Sequence, residues 1–420
     1  MAFLRRLPKT ELHLHLDGSL PFAFVAAQAR ERRVELPVGG QALRDAVHAR
    51  KAAARRADAS NAQQVSRKVI LFFRSTKNNV HFLCVTSRCF GSSSLVCTLA
   101  FCLVLFFFYA SRAPHLNVYP RQAGGNWGVF DWCNQFLQTR VELRDASRMI
   151  CEGAWREHNV LRTELRFCPA LHTLEALSPR NAVDAVVEGV MAASSESASV
   201  NGVIICALRS HDARHSMDMA QLAIEANRDL GGVVCGFDIA GDEGSFPLEL
   251  HRGAVELCKA HGLPVTVHAG EWPGSINNVS LALAMGVDRI GHGWAMAEDP
   301  AVMEECRRRG VVVEVCLTSN VKPGAGPGWI ESYEDHPVRK MVDAGVKICL
   351  NSDNHLLSGA ADRPAHPTGE IQHLMSDCRF TLDEVVQILR NGVEAAFVQD
   401  ASAKEQLVAR FDAELEKVMG

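Results

Sequence analysis

From about residue 160 onward, short apolar runs alternate with stretches of helical periodicity. The apolar runs predict strands over 163–168, 203–208, 233–239, 264–268, 289–292, 311–317 and 346–351. Amphipathic segments over 179–193, 217–229 and 248–261 predict helices between them. Strands alternating with helices read as βαβ units around a parallel sheet. Residues 11–16 supply an eighth strand, and eight such units make a TIM (β/α)8 barrel with its active site at the C-terminal ends of the strands. A doubly wound sheet is the competing topology. It does not easily bring the first and last strands together, whereas a barrel closes one against the other. The expectation is one barrel domain over 1–420.

One region breaks the pattern. Residues 72–126 form an atypical insertion after the first strand, with an apolar run from Leu95 to Ala110 that shows neither helical nor strand period. The run falls slightly short of the ~18 apolar residues of a membrane span. A buried or disordered insertion, a membrane tether through 95–110, and translated non-coding sequence all stand open.

Formal charge is −4, from 44 basic and 48 acidic residues, with no long run of one sign. That argues against a nucleic-acid surface, which carries a basic stripe. A small-molecule substrate follows by elimination, and oligomeric state is left open. The 14 cysteines include no Cys-x-x-Cys pair, so zinc knuckles and thioredoxin-like motifs are excluded. Most sit singly in apolar runs, as buried thiols do. With no apolar core for a secretory signal near Met1, a reducing, cytoplasmic location is expected.

The candidate chemistry closes the predicted strands. His13-Leu-His15 places two imidazoles on one side of an extended strand, because side chains alternate with a period of two. His268 ends a buried strand, with Glu271 three residues on. His292 lies between Gly291 and Gly293, which permit tight turns and close substrate approach. Asp353 follows an apolar strand, and a buried carboxylate there needs a partner such as a cation. Three histidines and an aspartate suffice for a divalent metal, and suit zinc. Taken singly, each residue has a bland alternative as a core histidine or a helix cap. Their coincidence at successive strand ends points to a hydrolytic metalloenzyme.

The motifs Leu7-Pro-Lys-Thr-Glu-Leu-His-Leu-His-Leu-Asp-Gly-Ser19, Gly236-Phe-Asp-Ile-Ala-Gly-Asp-Glu243, Thr266-Val-His-Ala-Gly-Glu271, Asp288-Arg-Ile-Gly-His-Gly293 and Glu314-Val-Cys-Leu-Thr-Ser-Asn320 together resemble adenosine deaminase. The resemblance covers about residues 4–60 and 131–415. It implies a barrel that converts adenosine and 2′-deoxyadenosine to the inosine forms and ammonia, in purine salvage. One Zn²⁺ would be held by His13, His15, His268 and Asp353. Glu271 would protonate the purine ring, His292 with Asp353 would orient the attacking water, and Asp238 would support the site. Asp17 would bind ribose, Gly241 would offer its N–H to the purine, and Asn354 would face N7. Many family members carry a second aspartate where this chain has Asn354, whose amide donates without needing an extra proton. Deaminases of adenine, AMP or N6-methyl-AMP are the runners-up. Asp17 and Gly291 favour the nucleoside over adenine, and no phosphate-binding cluster is evident. A catalytically inactive, deaminase-like binding protein is the non-enzyme alternative.

Overall fold

The computed structural model describes residues 1–32, 75–76, 79–80, 127–197, 199–321, 330–360 and 363–420. Eight parallel strands form one sheet: β1 Lys9–His15, β2 Val160–Phe167, β3 Gly202–Leu208, β4 Val234–Ala240, β5 Val265–Ala269, β6 Arg289–His292, β7 Val312–Val315 and β8 Ile348–Leu350. They are hydrogen-bonded in chain order, which is barrel topology and excludes the doubly wound alternative. The predicted strands match these elements to within a few residues. The prediction overreaches at 346–351 and at 311–317, the latter because Leu317–Asn320 turns into a short helix instead of continuing β7.

Closure between β8 and β1 runs through the chain just beyond β8. The His15 N–H donates to the Asp353 carbonyl at 2.8 Å, and the Asp353 N–H donates to the His13 carbonyl at 2.9 Å. The Leu12 N–H donates to Asn351 Oδ1 at 2.8 Å. Sealing the barrel therefore seats Asp353 between two histidines of β1.

β2 shows how sequence assigns the faces. Arg162, Glu164 and Arg166 alternate with Leu161, Thr163, Leu165 and Phe167, and a strand sends alternate side chains to opposite faces. The charged set fills the barrel interior, while Leu161, Leu165 and Phe167 join the main apolar core beneath the helices. Among those helices, Arg140–His158 begins with a Thr139/Glu142 capping box and ends at Asn159 in the left-handed conformation. It packs on Pro179–Glu196 so closely that a Cβ at Gly189 would lie 2.1 Å from the Arg144 carbonyl oxygen. Substituting Gly189 would drive these two helices apart.

The segment predicted over 248–261 is a 3₁₀ turn, Leu248–His251, leading into the helix Arg252–Ala260. Of the insertion over 72–126, only the antiparallel pair Ser75–Thr76 and Asn79–Val80 is described, and the apolar run 95–110 lies outside the described residues. Among the described residues, no helix is long and apolar enough to cross a membrane, and ten cysteines are free and buried.

Candidate active site

The rim at the C-terminal strand ends gathers the residues that the motifs single out. His13 and His15 end β1, His268 lies on β5, His292 closes β6, and Asp353 enters from the closing segment. His13 Nε2 and His15 Nε2 each lie 3.4 Å from Asp353 Oδ1. His15 Nε2 is 3.1 Å from His268 Nε2. His292 Nε2 is 3.7 Å from Glu271 Oε1. His292 and Asp353 both hold positive φ, 63° and 64°, a costly conformation for a residue with a Cβ and one that collects at functional sites.

Among the described residues, the donor atoms of His13, His268, His292 and Asp353 all lie within 4.8 Å of one another. His15 reaches the same cluster through its contacts with His268 and Asp353. The second nitrogen of each ring separates these histidines. His13 Nδ1 meets Glu314 Oε2 at 2.8 Å, and His268 Nδ1 meets Asp238 Oδ1 at 3.1 Å. Each Nδ1–H donates to its carboxylate, so the neutral ring leaves a lone pair on Nε2, aimed into the cluster. His292 Nδ1 instead lies 3.0 Å from Asn320 Nδ2, which can only donate. The neutral His292 ring therefore carries its proton on Nε2.

His13 Nε2 is buried and has no hydrogen-bond partner. Between His15 Nε2 and His268 Nε2, a nitrogen lone pair faces another ring nitrogen. Orphaned lone pairs converging on one carboxylate oxygen are what a divalent cation satisfies, and the residues present fit a metal. Protonation follows the same logic. Burial pushes His15 and His292 well below the usual histidine range, leaving neutral rings. Burial raises Asp353, but the His13 and His15 rings that face its carboxyl outweigh it and hold that group well below its usual range.

Glu271 behaves oppositely. Burial first, then the charges of Asp353 and Glu243, hold its carboxyl well above the usual carboxylate range. Glu243 fixes the turn that carries it: Oε1 accepts the Gly270 N–H at 2.8 Å and Oε2 the Glu271 N–H at 2.7 Å. A carboxyl that favours its protonated form thus sits beside a metal-ready cluster.

The remaining predicted residues frame this centre. Asp17 is buried, with Asn134 Nδ2 3.4 Å from its Oδ2, and burial raises its pKa to about 6. Asn354 lies directly over Gly18, where a Cβ would collide with the amide oxygen. Gly241 follows β4 with φ 103°, a conformation suited to glycine. Gly291 serves a different purpose from the expected approach of substrate: a Cβ there would sit 2.9 Å from His13 Cε1, so the glycine makes room for that ring. Asp238 does support the site, through His268.

Behind these lie residues to which the motifs alone give no role. Arg166 joins both supporting carboxylates, donating to Asp238 Oδ2 at 3.1 Å and to Glu314 Oε2 at 2.9 Å. Ser319 Oγ donates to Asp353 Oδ2 at 2.6 Å, leaving Oδ1 for the histidines. A charged side chain inside a buried strand was the available signal for Arg166 and Glu314.

Residues 126–414 match the family model for adenosine deaminase. The chain belongs to the adenosine deaminase family. Membership makes it a hydrolytic deaminase enzyme, with the barrel that the family resemblance implied. It is 32% identical to an adenosine deaminase of Clostridium acetobutylicum over 60% of this chain and 71% of that one. To an adenosine deaminase of Enterococcus faecalis it is 26% identical over 96% and 95%. Two solved structures share the fold. An amidohydrolase from Burkholderia ambifaria with bound Zn superposes with a TM-score of 0.69 at 22% identity, covering 99% of this chain and 94% of that one. The N6-mAMP deaminase of Arabidopsis gives 0.67 at 20% identity, covering 98% and 100%.

Proposed function

We propose that this deaminase hydrolyses adenosine and 2′-deoxyadenosine to inosine, or deoxyinosine, and ammonia, with one zinc per chain held by His13, His15, His268 and Asp353. The observation that carries the reading is a buried Glu271, its carboxyl pushed well above the usual range by burial, beside three imidazoles and a carboxylate. Three nitrogens and one oxygen are a donor set that suits zinc. His292 is left out of it, because its site-facing nitrogen carries a proton and has no lone pair to give. When bound, the metal supplies Lewis acidity that brings the pKa of a water toward neutrality.

The chain's own residues do the rest. Glu271 gives its proton to ring nitrogen N1, which makes C6 electrophilic. His292 Nε2–H donates to the water oxygen as it adds at C6; one water proton passes to the exocyclic amine, which leaves as ammonia as the C6 carbonyl forms, and the other restores the Glu271 acid. The Gly241 N–H and the Asn354 amide fix the purine, and Asp17 takes a ribose hydroxyl. Acidic Asp17 and Asp353 line this region, so a 5′-phosphate meets like charge. The ten free, buried cysteines among the described residues support a reducing, cytoplasmic setting, which fractionation of the native protein would test.

Steady-state assay of adenosine, 2′-deoxyadenosine, adenine, AMP and N6-methyl-AMP, with metal content measured alongside, tests the proposal. Adenosine and deoxyadenosine should show the highest kcat/KM. A preference for either nucleotide would move the substrate to the phosphorylated class. Turnover of none would leave a deaminase-like binding protein.

A further inference from the structure

We infer that Asn320 and His336 are positioning residues that lock the tautomer of His292, through a one-way chain of hydrogen bonds starting at the Val338 backbone. The inference rests on the deaminase reading of the site for its catalytic consequence, but not for its geometry.

The chain has three links. The Val338 N–H lies 3.1 Å from His336 Nδ1. His336 Nε2 lies 3.3 Å from Asn320 Oδ1, and Asn320 Nδ2 lies 3.0 Å from His292 Nδ1. A backbone N–H can only donate, so His336 Nδ1 accepts and the ring's single proton sits on Nε2. That proton goes to Asn320 Oδ1, so the amide NH₂ must face His292. His292 Nδ1 then accepts, and its own proton lies on Nε2, toward Glu271.

The reverse arrangement fails at its far end. Turning the Asn320 amide over would place its NH₂ against His336 Nε2 and require a lone pair there. The His336 proton would move to Nδ1, directly against the Val338 N–H. Two donors facing each other in a buried site leave both unsatisfied. A doubly protonated His336 would create the same clash, and burial holds this ring down to a pKa of about 3, so it stays neutral. His336 and Asn320 are 4% and 2% exposed, so water does not compete for these bonds.

The consequence is a division of labour among the rim histidines. His13 and His268 have Nδ1 bonded to carboxylates and turn lone pairs inward. His292 has Nδ1 bonded to an amide donor and turns a proton inward. A histidine of the first kind holds a cation, while one of the second kind stabilises developing negative charge on an oxygen. Asn320 thus decides which kind His292 is, without touching substrate.

The experiment has a spectroscopic arm and a kinetic arm. In the zinc-loaded protein labelled with ¹⁵N-histidine, His292, assigned by comparison with a His292→Gln sample, should show a protonated Nε2 and an unprotonated Nδ1. Asn320→Asp is isosteric but offers His292 an acceptor. It should reverse this pattern and lower kcat on adenosine by about 10²–10³-fold, the usual loss of one preorganised donor, with KM changed far less. Asn320→Ala leaves His292 free to keep its Nε2 proton and should lose less than Asn320→Asp. A merely structural asparagine predicts the opposite order. His336→Gln, which keeps an N–H toward Asn320, should recover much of what His336→Leu loses.

A wild-type His292 with its proton on Nδ1, or with Nε2 bound to metal, overturns the inference, as does a folded Asn320→Asp protein with near-normal kcat. Should the aspartate variant not fold, the wild-type spectrum decides alone. Absence of adenosine turnover by the wild type would instead defeat the proposed substrate, leaving the tautomer assignment to the spectrum, which needs no substrate.

Discussion

In the lower barrel, Arg162, Arg166 and Arg289 meet Glu164, Asp238 and Glu314. Arg289 bridges Glu164 and Glu314 at 2.7 and 2.6 Å, Arg162 reaches Glu164 at 2.8 Å, and Arg166 spans Asp238 and Glu314. Three cations face three anions. At the rim a few ångströms above, Asp17, Glu271 and Asp353 make no salt bridge to a lysine or arginine among the described residues, although Arg209 acts on Glu271 from further off, and His13 Nε2 has no hydrogen-bond partner. Burying charge is costly in both places, since desolvation is compensated only by good pairing. The lower layer compensates internally and so fixes geometry. The rim leaves the compensation to a cation and a substrate. Incomplete pairing, more than charge as such, marks the functional end of this barrel.

The largest effect should come from removing Glu271, the rim acid beside the histidine cluster. Glu271→Gln keeps volume and hydrogen bonding but cannot deliver a proton, and kcat should fall by about 10²–10⁴-fold while metal content is unchanged. Near-normal turnover of the Gln variant would place the acid elsewhere.

Breaking the lower layer should cost stability instead. Glu314 accepts from Arg166, Arg289 and Thr266 and orients His13. Glu314→Gln leaves two buried guanidinium groups short of a counter-charge, and urea unfolding should report a loss of about 3–5 kcal/mol. An unchanged midpoint would mean that the layer is not held by its pairing.

The metal prediction links the two regions. A zinc concentration of about 100 times Kd should stabilise the wild type by roughly 2.7 kcal/mol, and His268→Ala should abolish the rise in Tm. Full zinc occupancy in that variant would remove His268 from the ligand set.

Much of the rim was legible because metal and acid chemistry restrict residue type. His13, His15, His268, Glu271, His292 and Asp353 stand at predicted strand ends, and apolar runs bounded the strands. The supporting layer was harder to read. Arg166 and Glu314 meet across 148 residues and Glu314 meets His13 across 301, pairings that only the barrel creates. The split between lone-pair and proton-bearing histidines was illegible in principle, because it depends on what touches Nδ1. Gly291 shows the same limit: its motif suggested room for substrate, and the ring it accommodates is His13.

The last prediction concerns a fourth unpaired carboxyl, Glu370, on the helix Pro367–Ser376. Its Oε2 accepts the Thr318 N–H at 3.1 Å, but Oε1 is buried without a partner. Burial first, then the charge of Glu11, raise its pKa to about 8 against the partial opposition of the Thr318 bonds. An unfolded glutamate titrates near 4.3, so the folded state holds a proton that the unfolded state releases between those two values. The contribution of Glu370 to stability is therefore complete below about pH 4.3 and is lost as pH rises toward 8. Glu370→Gln removes the titration while keeping the acceptor for Thr318. The variant's stability relative to wild type should climb with pH across that window, by up to about 1.4 kcal/mol per pH unit. Melting curves at pH 5, 6, 7 and 8 would measure it. A difference that stayed flat with pH would show that Glu370 is ionised in the fold and has found a counter-charge, which would move it from the unpaired rim to the compensated layer.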